Sequence, residues 1–163
     1  MKILFTSHVP NQHIKDRDPL GIMCLSASLK KANHEVRICS PEVRETEKML
    51  EEFPADVIAY SIATGDHSFY IDFNKVIKNR HKNIYSVFGG PHCTFNPDFI
   101  TENLGIDAMA SGEVDLTFVD FINSLESIDY EKLGCCIGYY VKKGRFALSE
   151  GVKLAIFTIE QRF

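Results

Sequence analysis

The chain has 163 residues and a mass of 18.5 kDa, a length that predicts one compact domain. Apolar residues make up 45% and charged residues 25%, a composition typical of a globular protein and unlike a disordered chain, a collagen or a disulfide-rich mini-protein. The net charge of −4 is not that of a nucleic-acid binder, and no apolar run has the length of a membrane span or a signal peptide. We therefore expect a cytoplasmic protein that binds neither nucleic acid nor membrane.

The five cysteines show no metal-site spacing. Cys135 and Cys136 are adjacent, and the others, Cys24, Cys39 and Cys93, are far apart along the chain. Zinc and iron–sulfur sites built on local motifs need closely spaced pairs such as Cys-x-x-Cys. We therefore expect free thiols in a reducing compartment and no iron–sulfur cluster from this chain alone.

Short apolar runs alternate with amphipathic segments along most of the chain. This alternation predicts an α/β fold: a Rossmann-like (flavodoxin-like) doubly wound parallel five-stranded sheet with helices on both faces. In the second strand, Val36 and Ile38 alternate and are expected to face the interior, and Asp66 is expected to cap the third helix. In chain order the segments are strand 3–5, helix 20–32, strand 35–39, helix 44–53, strand 56–62, helix 66–80, strand 84–88, helix 97–103, strand 106–110 and helix 115–126.

The C-terminal part has a different pattern. Two apolar runs, 137–141 and 146–148, flank the polar segment Lys142–Arg145, which predicts a short β-hairpin. The last apolar run, 152–159, favours a chain that continues into something longer or a degenerate domain.

Ligands of doubly wound sheets bind in the loops at the carboxyl ends of the strands. Here those loops are 7–19, 61–66, 89–94 and 111–114, and three of them carry glycines, which either let a ligand approach the backbone or only make turns. The first loop has no glycine before Gly21, which argues against a dinucleotide fingerprint and a P-loop. The side chains of His67, His92 and Glu113 also lie near predicted strand ends, but no spacing makes them a catalytic set, so we assign no catalytic residue.

Several strand-end motifs occur in a characteristic order. The segment 88–94 reads Phe-Gly-Gly-Pro-His-Cys-Thr, and 54–61 reads Pro-Ala-Asp-Val-Ile-Ala-Tyr-Ser. Together they resemble the cobalamin-binding domain that precedes the radical SAM barrel in cobalamin-dependent radical SAM enzymes, over about residues 1–148. The other matching segments are 19–29, 33–36, with asparagine in place of a glycine, 105–107, 111–115 and 137–144.

The resemblance implies a cobalamin-binding Rossmann-like domain at 1–130, followed at 131–163 by a hairpin and tail that begin a linker to a catalytic domain. It implies a slot for the nucleotide tail of cobalamin, made by Ala63, Gly89 and Gly90, with a hydrogen bond to the tail base from Ser61. The corrin ring would lie on the loops 8–20 and 64–66. The full set of implied cofactor-binding residues is Pro19, Leu20, Gly21, Ser61, Ala63, Thr64, Gly65, Gly89, Gly90, Pro91, His92, Gly112, Glu113 and Val114.

The family's cobalt-ligating frame Asp-x-His-x-x-Gly matches 16–21 with one difference. Asp18 stands where the histidine would be, and a carboxylate is a poor substitute for imidazole on cobalt. The resemblance therefore implies a base-off, histidine-off cobalamin with no metal ligand from this motif. His13 and His67 are the remaining candidates for a lower ligand.

The radical chemistry of the family needs a three-cysteine cluster motif and a barrel, and this sequence shows neither. We expect no catalysis by this chain alone. It is either a fragment of a longer methyltransferase-like enzyme or a standalone binding protein. An iron–sulfur cluster and S-adenosylmethionine are expected only if a radical SAM barrel is fused or supplied by a partner.

Two other functions remain open from the sequence. One is a flavodoxin-like domain that binds a flavin or nucleotide, although 6–11 makes a poor phosphate loop because it lacks glycine. The other is a receiver-like or other non-catalytic interaction domain. A receiver would need an acidic pair after the first strand and an aspartate after the third, where this sequence has Thr6, Ser7 and Ser61.

Overall fold

The structure, a computed structural model, describes residues 1–7, 19–96, 98–103, 105–115, 117–127 and 139–141. Strands and helices alternate along this part of the chain. In order they are β1 (Lys2–Thr6), α1 (Leu20–Lys31), β2 (Glu35–Cys39), α2 (Val43–Glu52), β3 (Val57–Ser61), α3 (His67–Arg80), β4 (Tyr85–Gly89), α4 (Pro91–Phe95), α5 (Phe99–Glu102), β5 (Ala108–Ala110), α6 (Thr117–Ser127) and β6 (Tyr139–Val141).

The strands form one sheet in the order β2-β1-β3-β4-β5-β6. The first five strands are parallel, so the predicted doubly wound five-stranded sheet is confirmed. β6 pairs antiparallel with β5, which extends the sheet beyond the predicted domain boundary at residue 130. The second strand of the predicted hairpin, 146–148, lies outside the described residues.

The two faces of the sheet carry separate cores. Helices α1 and α6 cover one face, where Phe5, Val57 and Val87 point, and helices α2 to α5 cover the other, where Tyr60 and Phe88 point. Strands buried on both faces have continuously apolar sequences, which explains why β3 and β4 could be predicted. Within the described residues, no helix is both long and apolar enough to cross a bilayer.

Some local predictions were wrong in instructive ways. Ile38 lies on the α1 side of the sheet, as its register partner Phe5 does, but it is 38% exposed rather than buried, because β2 is an edge strand and pairs only with β1. Asp66 precedes α3 but its side chain makes no capping hydrogen bond. The helix predicted over 97–103 is the shorter α5, and α4 was not predicted at all because its sequence, Pro-His-Cys-Thr-Phe, has no helical periodicity.

The end of α1 explains the asparagine that replaces a glycine of the family motif. Asn33 has φ +65, the left-handed conformation that glycine adopts freely and that asparagine tolerates better than most residues. The amide of His34 donates to the carbonyl of Leu29, and the amide of Asn33 donates to that of Lys30, the Schellman pattern. The turn directs the chain into β2, and the imidazole of His34 then hydrogen-bonds the side chain of Asn123 on α6.

We predict that Asn33→Val lowers the free energy of unfolding by about 1–2 kcal/mol, because a β-branched residue is strained at this φ. Asn33→Gly is the matched control and leaves stability equal or higher. Urea denaturation of the two variants measures the difference. Equal stability of Asn33→Val and Asn33→Gly would contradict the left-handed turn.

Candidate functional site

The carboxyl ends of β3, β4 and β5 carry unusually small side chains on the face covered by α1 and α6. Ala59, Gly89 and Ala110 point to this face, because they alternate with residues of the opposite core. Adjacent strands in this region place Ser61 opposite Gly89 in the register. Since these residues have few side-chain atoms, the space between sheet and helices is not filled.

A cavity of about 390 Å³ occupies this space, a volume within the range of small-molecule sites. We call it the sheet-end cavity. Its lining comes from the strand ends, the first turns of α1 and α6, and α4. The lining residues are Phe5, Gly21, Ile22, Leu25, Ala59, Tyr60, Ser61, Val87, Gly89, Gly90, Pro91, Thr94, Phe95, Ala110, Gly112, Glu113, Val114, Asp115 and Phe118.

The sheet-end cavity has an apolar interior and a polar rim. Its buried lining side chains on the α1 and α6 side are hydrocarbon, for example Phe5, Val87 and Phe118. Glu113 and Asp115 are exposed and lie at the rim. The arrangement suits a ligand with an apolar part that enters the cavity and a polar part that remains outside.

The two glycines at the end of β4 have different structural roles. Gly90 has φ +95, and a Cβ there would lie 2.8 Å from the carbonyl oxygen of Ile62. A side chain at Gly89 would meet Ala110 Cβ at 3.4 Å, which is an ordinary contact distance. Gly90 is therefore required by the backbone, whereas Gly89 mainly leaves space.

The close approach at Gly90 ties the strand ends together. The amide of Ile62 donates to Gly89 O at 2.9 Å, and the amide of His92 donates to Ile62 O at 3.1 Å. Thr94 Oγ1 donates to Gly90 O at 3.2 Å and accepts from the amide of Gly112 at 3.0 Å. These bonds join the loops after β3, β4 and β5 into one frame around the cavity mouth.

Eight of the residues implied by the resemblance line the sheet-end cavity, and six do not. The six lie at or just before the start of α1, in the loop after β3, or on the opposite face of the sheet, and their contact with a cofactor stays a prediction. The residues in the lining are Gly21, Ser61, Gly89, Gly90, Pro91, Gly112, Glu113 and Val114; those outside it are Pro19, Leu20, Ala63, Thr64, Gly65 and His92.

His92 points away from the sheet-end cavity. Its ring stacks on that of His67 with 4.3 Å between centroids and meets Phe99 edge to face at 4.8 Å, while Thr64 Oγ1 lies 3.2 Å from its Nδ1. Burial, and to a lesser extent the neighbouring His67, lower the pKa of His92. The pair thus packs the start of α3 against α4, and the lowered pKa of His92 favours its neutral form.

The described residues hold no cluster of three or more histidine, cysteine or acidic side chains that could bind a metal ion. Asp18 and His13 lie outside the described residues. His67, the other candidate for a lower ligand, is engaged in the stack with His92. Cys93 is fully buried, and burial raises its pKa to about 12, so its thiol is unreactive in the folded protein.

The residues at the floor of the cavity are not among those predicted from the sequence. Ala59, Val87 and Ala110 occupy alternate positions in strands that are apolar throughout, so their membership of one face is not visible from hydropathy. Phe118 and Ile22 lie on apolar helix faces, and such faces predict packing in the core rather than contact with a ligand. A signal was nonetheless present, since the small residues Ala59 and Ala110 fall at strand positions next to the large residues Tyr60 and Met109.

The topology and the cavity define an α/β ligand-binding domain that uses the carboxyl ends of its parallel strands. A family model described as the B12 binding domain matches residues 15–122. The chain therefore belongs to the B12-binding domain family, whose ligand is cobalamin.

Comparisons with individual proteins agree with this family. An uncharacterized methyltransferase of Pyrococcus horikoshii is 31% identical over 113 residues, which cover 66% of this chain and 24% of the relative. The chain thus spans about a quarter of the length of that relative.

Solved structures of two radical SAM enzymes share the fold. The methyltransferase TsrM from Kitasatospora setae, solved with cobalamin and a [4Fe-4S] cluster bound, matches with a TM-score of 0.64 and 16% identity over 89% of this chain and 27% of TsrM. A second TsrM structure, with tryptophan and a SAM analogue bound, also gives 0.64, with 15% identity over 89% of this chain and 29% of that one. The cobalamin-dependent radical enzyme OxsB matches with 0.60 and 19% identity over 77% of this chain and 18% of OxsB.

We predict that Gly90→Ala lowers the free energy of unfolding by about 1–3 kcal/mol from its positive φ alone, with a further loss from the contact with Ile62. Gly89→Ala, one position earlier, changes it by less than about 1 kcal/mol. Thermal or urea unfolding of the two variants compares them directly. If both variants have the stability of the parent protein, the backbone constraint at Gly90 is wrong.

Proposed function

We propose that this chain binds cobalamin in the cytoplasm with the nucleotide tail of the cofactor inside the sheet-end cavity, and that it presents the corrin ring to a radical SAM methyltransferase domain. The observation that carries the proposal is the sheet-end cavity itself, at the strand ends of a domain that belongs to the B12-binding family. The cavity has the apolar walls that a flat aromatic base requires.

The residues present fit the tail of cobalamin. Ala59, Gly89 and Ala110 leave room next to the sheet, and a Cβ on Gly89 would already touch Ala110. Phe5 and Phe118 lie 6.0 Å apart, centroid to centroid, in a tilted arrangement, and supply apolar walls. The dimethylbenzimidazole ring is flat, aromatic and mostly hydrocarbon, so its burial here is favoured by the hydrophobic effect.

The rim supplies polar contacts for the rest of the cofactor. Ser61 ends β3 with an exposed side chain that lines the cavity, so its hydroxyl donates a hydrogen bond to the ring nitrogen of the tail base. Gly112 and Glu113 line the cavity at the loop after β5, where they would contact the part of the tail that lies at the rim. Phe95 is 80% exposed and lines the mouth, where its ring shields the inserted tail from water.

Binding of the tail in the cavity keeps it away from the cobalt, so we propose a base-off cofactor. With Asp18 at the position of the family's histidine, the cobalt also has no imidazole from that motif. When bound, cobalamin supplies a cobalt centre that accepts and donates methyl groups. This chain's own residues hold the tail, orient the corrin ring over the strand ends and exclude water from the cavity.

The catalytic part of the proposed system is a radical SAM barrel, either in the same polypeptide or in a partner. The proposal is supported by the Pyrococcus relative named a methyltransferase, about four times as long as the matched region, and by the two radical SAM enzymes that share the fold. The barrel would bring the iron–sulfur cluster and S-adenosylmethionine. We propose that residues 1–130 are the cobalamin-binding unit and that 131–163 lead toward the catalytic domain.

The cavity assignment is tested by Ala110→Val and its matched control Ala108→Val. Both residues lie on β5, are buried and face the same core, but only Ala110 lines the sheet-end cavity. Overpacking costs both variants a similar 1–3 kcal/mol or so of stability. We predict that Ala110→Val weakens cobalamin binding at least about tenfold, which is roughly 1.4 kcal/mol, and that Ala108→Val does not.

The measurement is retention of cobalamin absorbance by each purified variant after gel filtration, followed by titration to obtain the dissociation constant. Circular dichroism shows that both variants are folded. Equal loss of affinity in the two variants would mean that core packing, rather than the cavity, limits binding. Unchanged affinity in Ala110→Val would mean that the tail does not bind in this cavity.

A further inference from the structure

We propose that the sheet-end cavity selects cobamides by the chemistry of their lower base: it accepts a benzimidazole-type base and discriminates against adenine, a base found in place of dimethylbenzimidazole in other cobamides. This inference rests on the proposed function, since it concerns the same cavity. It follows from the distribution of polar atoms in the lining.

The inner wall of the cavity is hydrocarbon. Every buried lining residue of the core between the sheet and helices α1 and α6 has an aliphatic or phenyl side chain. None of these side chains carries a hydrogen-bond donor or acceptor. These residues are Phe5, Ile22, Ala59, Val87, Ala110 and Phe118.

The polar side chains among the lining residues are at the rim or already occupied. Ser61, Glu113 and Asp115 are exposed. Thr94 Oγ1 is used by Gly90 O and the amide of Gly112. Tyr60 contributes its backbone, because its side chain belongs to the opposite core, where its hydroxyl donates to Asn74 Oδ1 at 3.1 Å.

The strand backbone behind the cavity is paired as well. β3 lies between β1 and β4, and β4 lies between β3 and β5, so the peptide groups of Ala59 and Val87 take part in parallel ladders on both sides. β5 is paired with β6 on its outer edge at Ala110. A polar group that reaches Ala59 or Val87 therefore finds neither a polar side chain nor an unpaired peptide group on these two strands.

The two bases differ in the part that goes deepest. Both carry a five-membered-ring nitrogen that can accept the hydrogen bond proposed from Ser61. Beyond it, dimethylbenzimidazole presents C–H and methyl groups, whereas adenine presents two ring nitrogens and an exocyclic amine. Those groups would lose their water without replacement, and one buried unsatisfied polar group costs enough to weaken binding about 10- to 100-fold.

The test measures dissociation constants of the full chain for three corrinoids: cobalamin, the adenine-containing cobamide and cobinamide, which lacks the nucleotide tail. We expect cobalamin to bind 10- to 100-fold more tightly than the adenine analogue. Cobinamide gives the affinity of the corrin ring alone, and we expect it to bind more weakly than cobalamin.

A pair of isosteric variants tests the cause of the selectivity. Val87→Thr places a hydroxyl in the cavity wall, and Val57→Thr places the same hydroxyl in the same core but away from the cavity. We expect the ratio of the affinity for cobalamin to the affinity for the adenine analogue to fall at least threefold in Val87→Thr. In Val57→Thr we expect this ratio to stay at the parent value. If a variant does not fold, the dissociation constants of the parent protein for the three corrinoids still test the selectivity.

Each possible result either supports or overturns a stated part of the proposal. Equal affinity for cobalamin and the adenine analogue, with cobinamide weaker than both, overturns the selectivity and leaves the tail cavity intact. Equal affinity for all three corrinoids places the tail outside the cavity and overturns the inference. Retention of none of them overturns the proposed function, and the inference with it. If Val87→Thr and Val57→Thr change the selectivity of the parent protein equally, the apolar wall of the cavity is not its cause.

Discussion

The close approach of two strand ends at Gly90 is the constraint on which the site depends. The positive φ of Gly90, without a Cβ, allows the amide of Ile62 to bond Gly89 O and the carbonyl of Ile62 to accept from His92. These bonds hold the loops after β3 and β4 together while Gly89 leaves a gap toward Ala110. Gly90 therefore allows the two loops to hydrogen-bond to each other, and Gly89 leaves the space that forms part of the sheet-end cavity.

The two faces of the sheet are packed very differently at the same strand positions. On the face covered by α2 to α5, Tyr60 and Phe88 lie 4.4 Å apart, centroid to centroid, and fill the core with aromatic rings. On the other face, the neighbouring positions are Ala59 and Gly89. Rigid packing on one face lets the sheet keep its shape while the other face holds a cavity, since well-packed cores deform little.

The sheet, its parallel order and most element bounds could be predicted because hydropathy alternates strongly along the chain. Gly89 and Gly90 could be singled out because they follow an apolar strand directly. Ala59 and Ala110 were harder to place, because hydropathy does not show which face a residue takes in a strand that is buried on both faces; only the alternation of small and large residues indicates it. The exposure of Ile38 and the turn that becomes α4 depend on contacts between distant segments, which sequence patterns do not contain.

The central claim is that the sheet-end cavity holds the tail of cobalamin away from the cobalt. The most direct measurement is the visible spectrum of the purified chain after incubation with hydroxocobalamin and removal of free pigment by desalting. The account predicts that corrin absorbance elutes with the protein and has the base-off form. Complete loss of the pigment, or retention with a base-on spectrum, would contradict it.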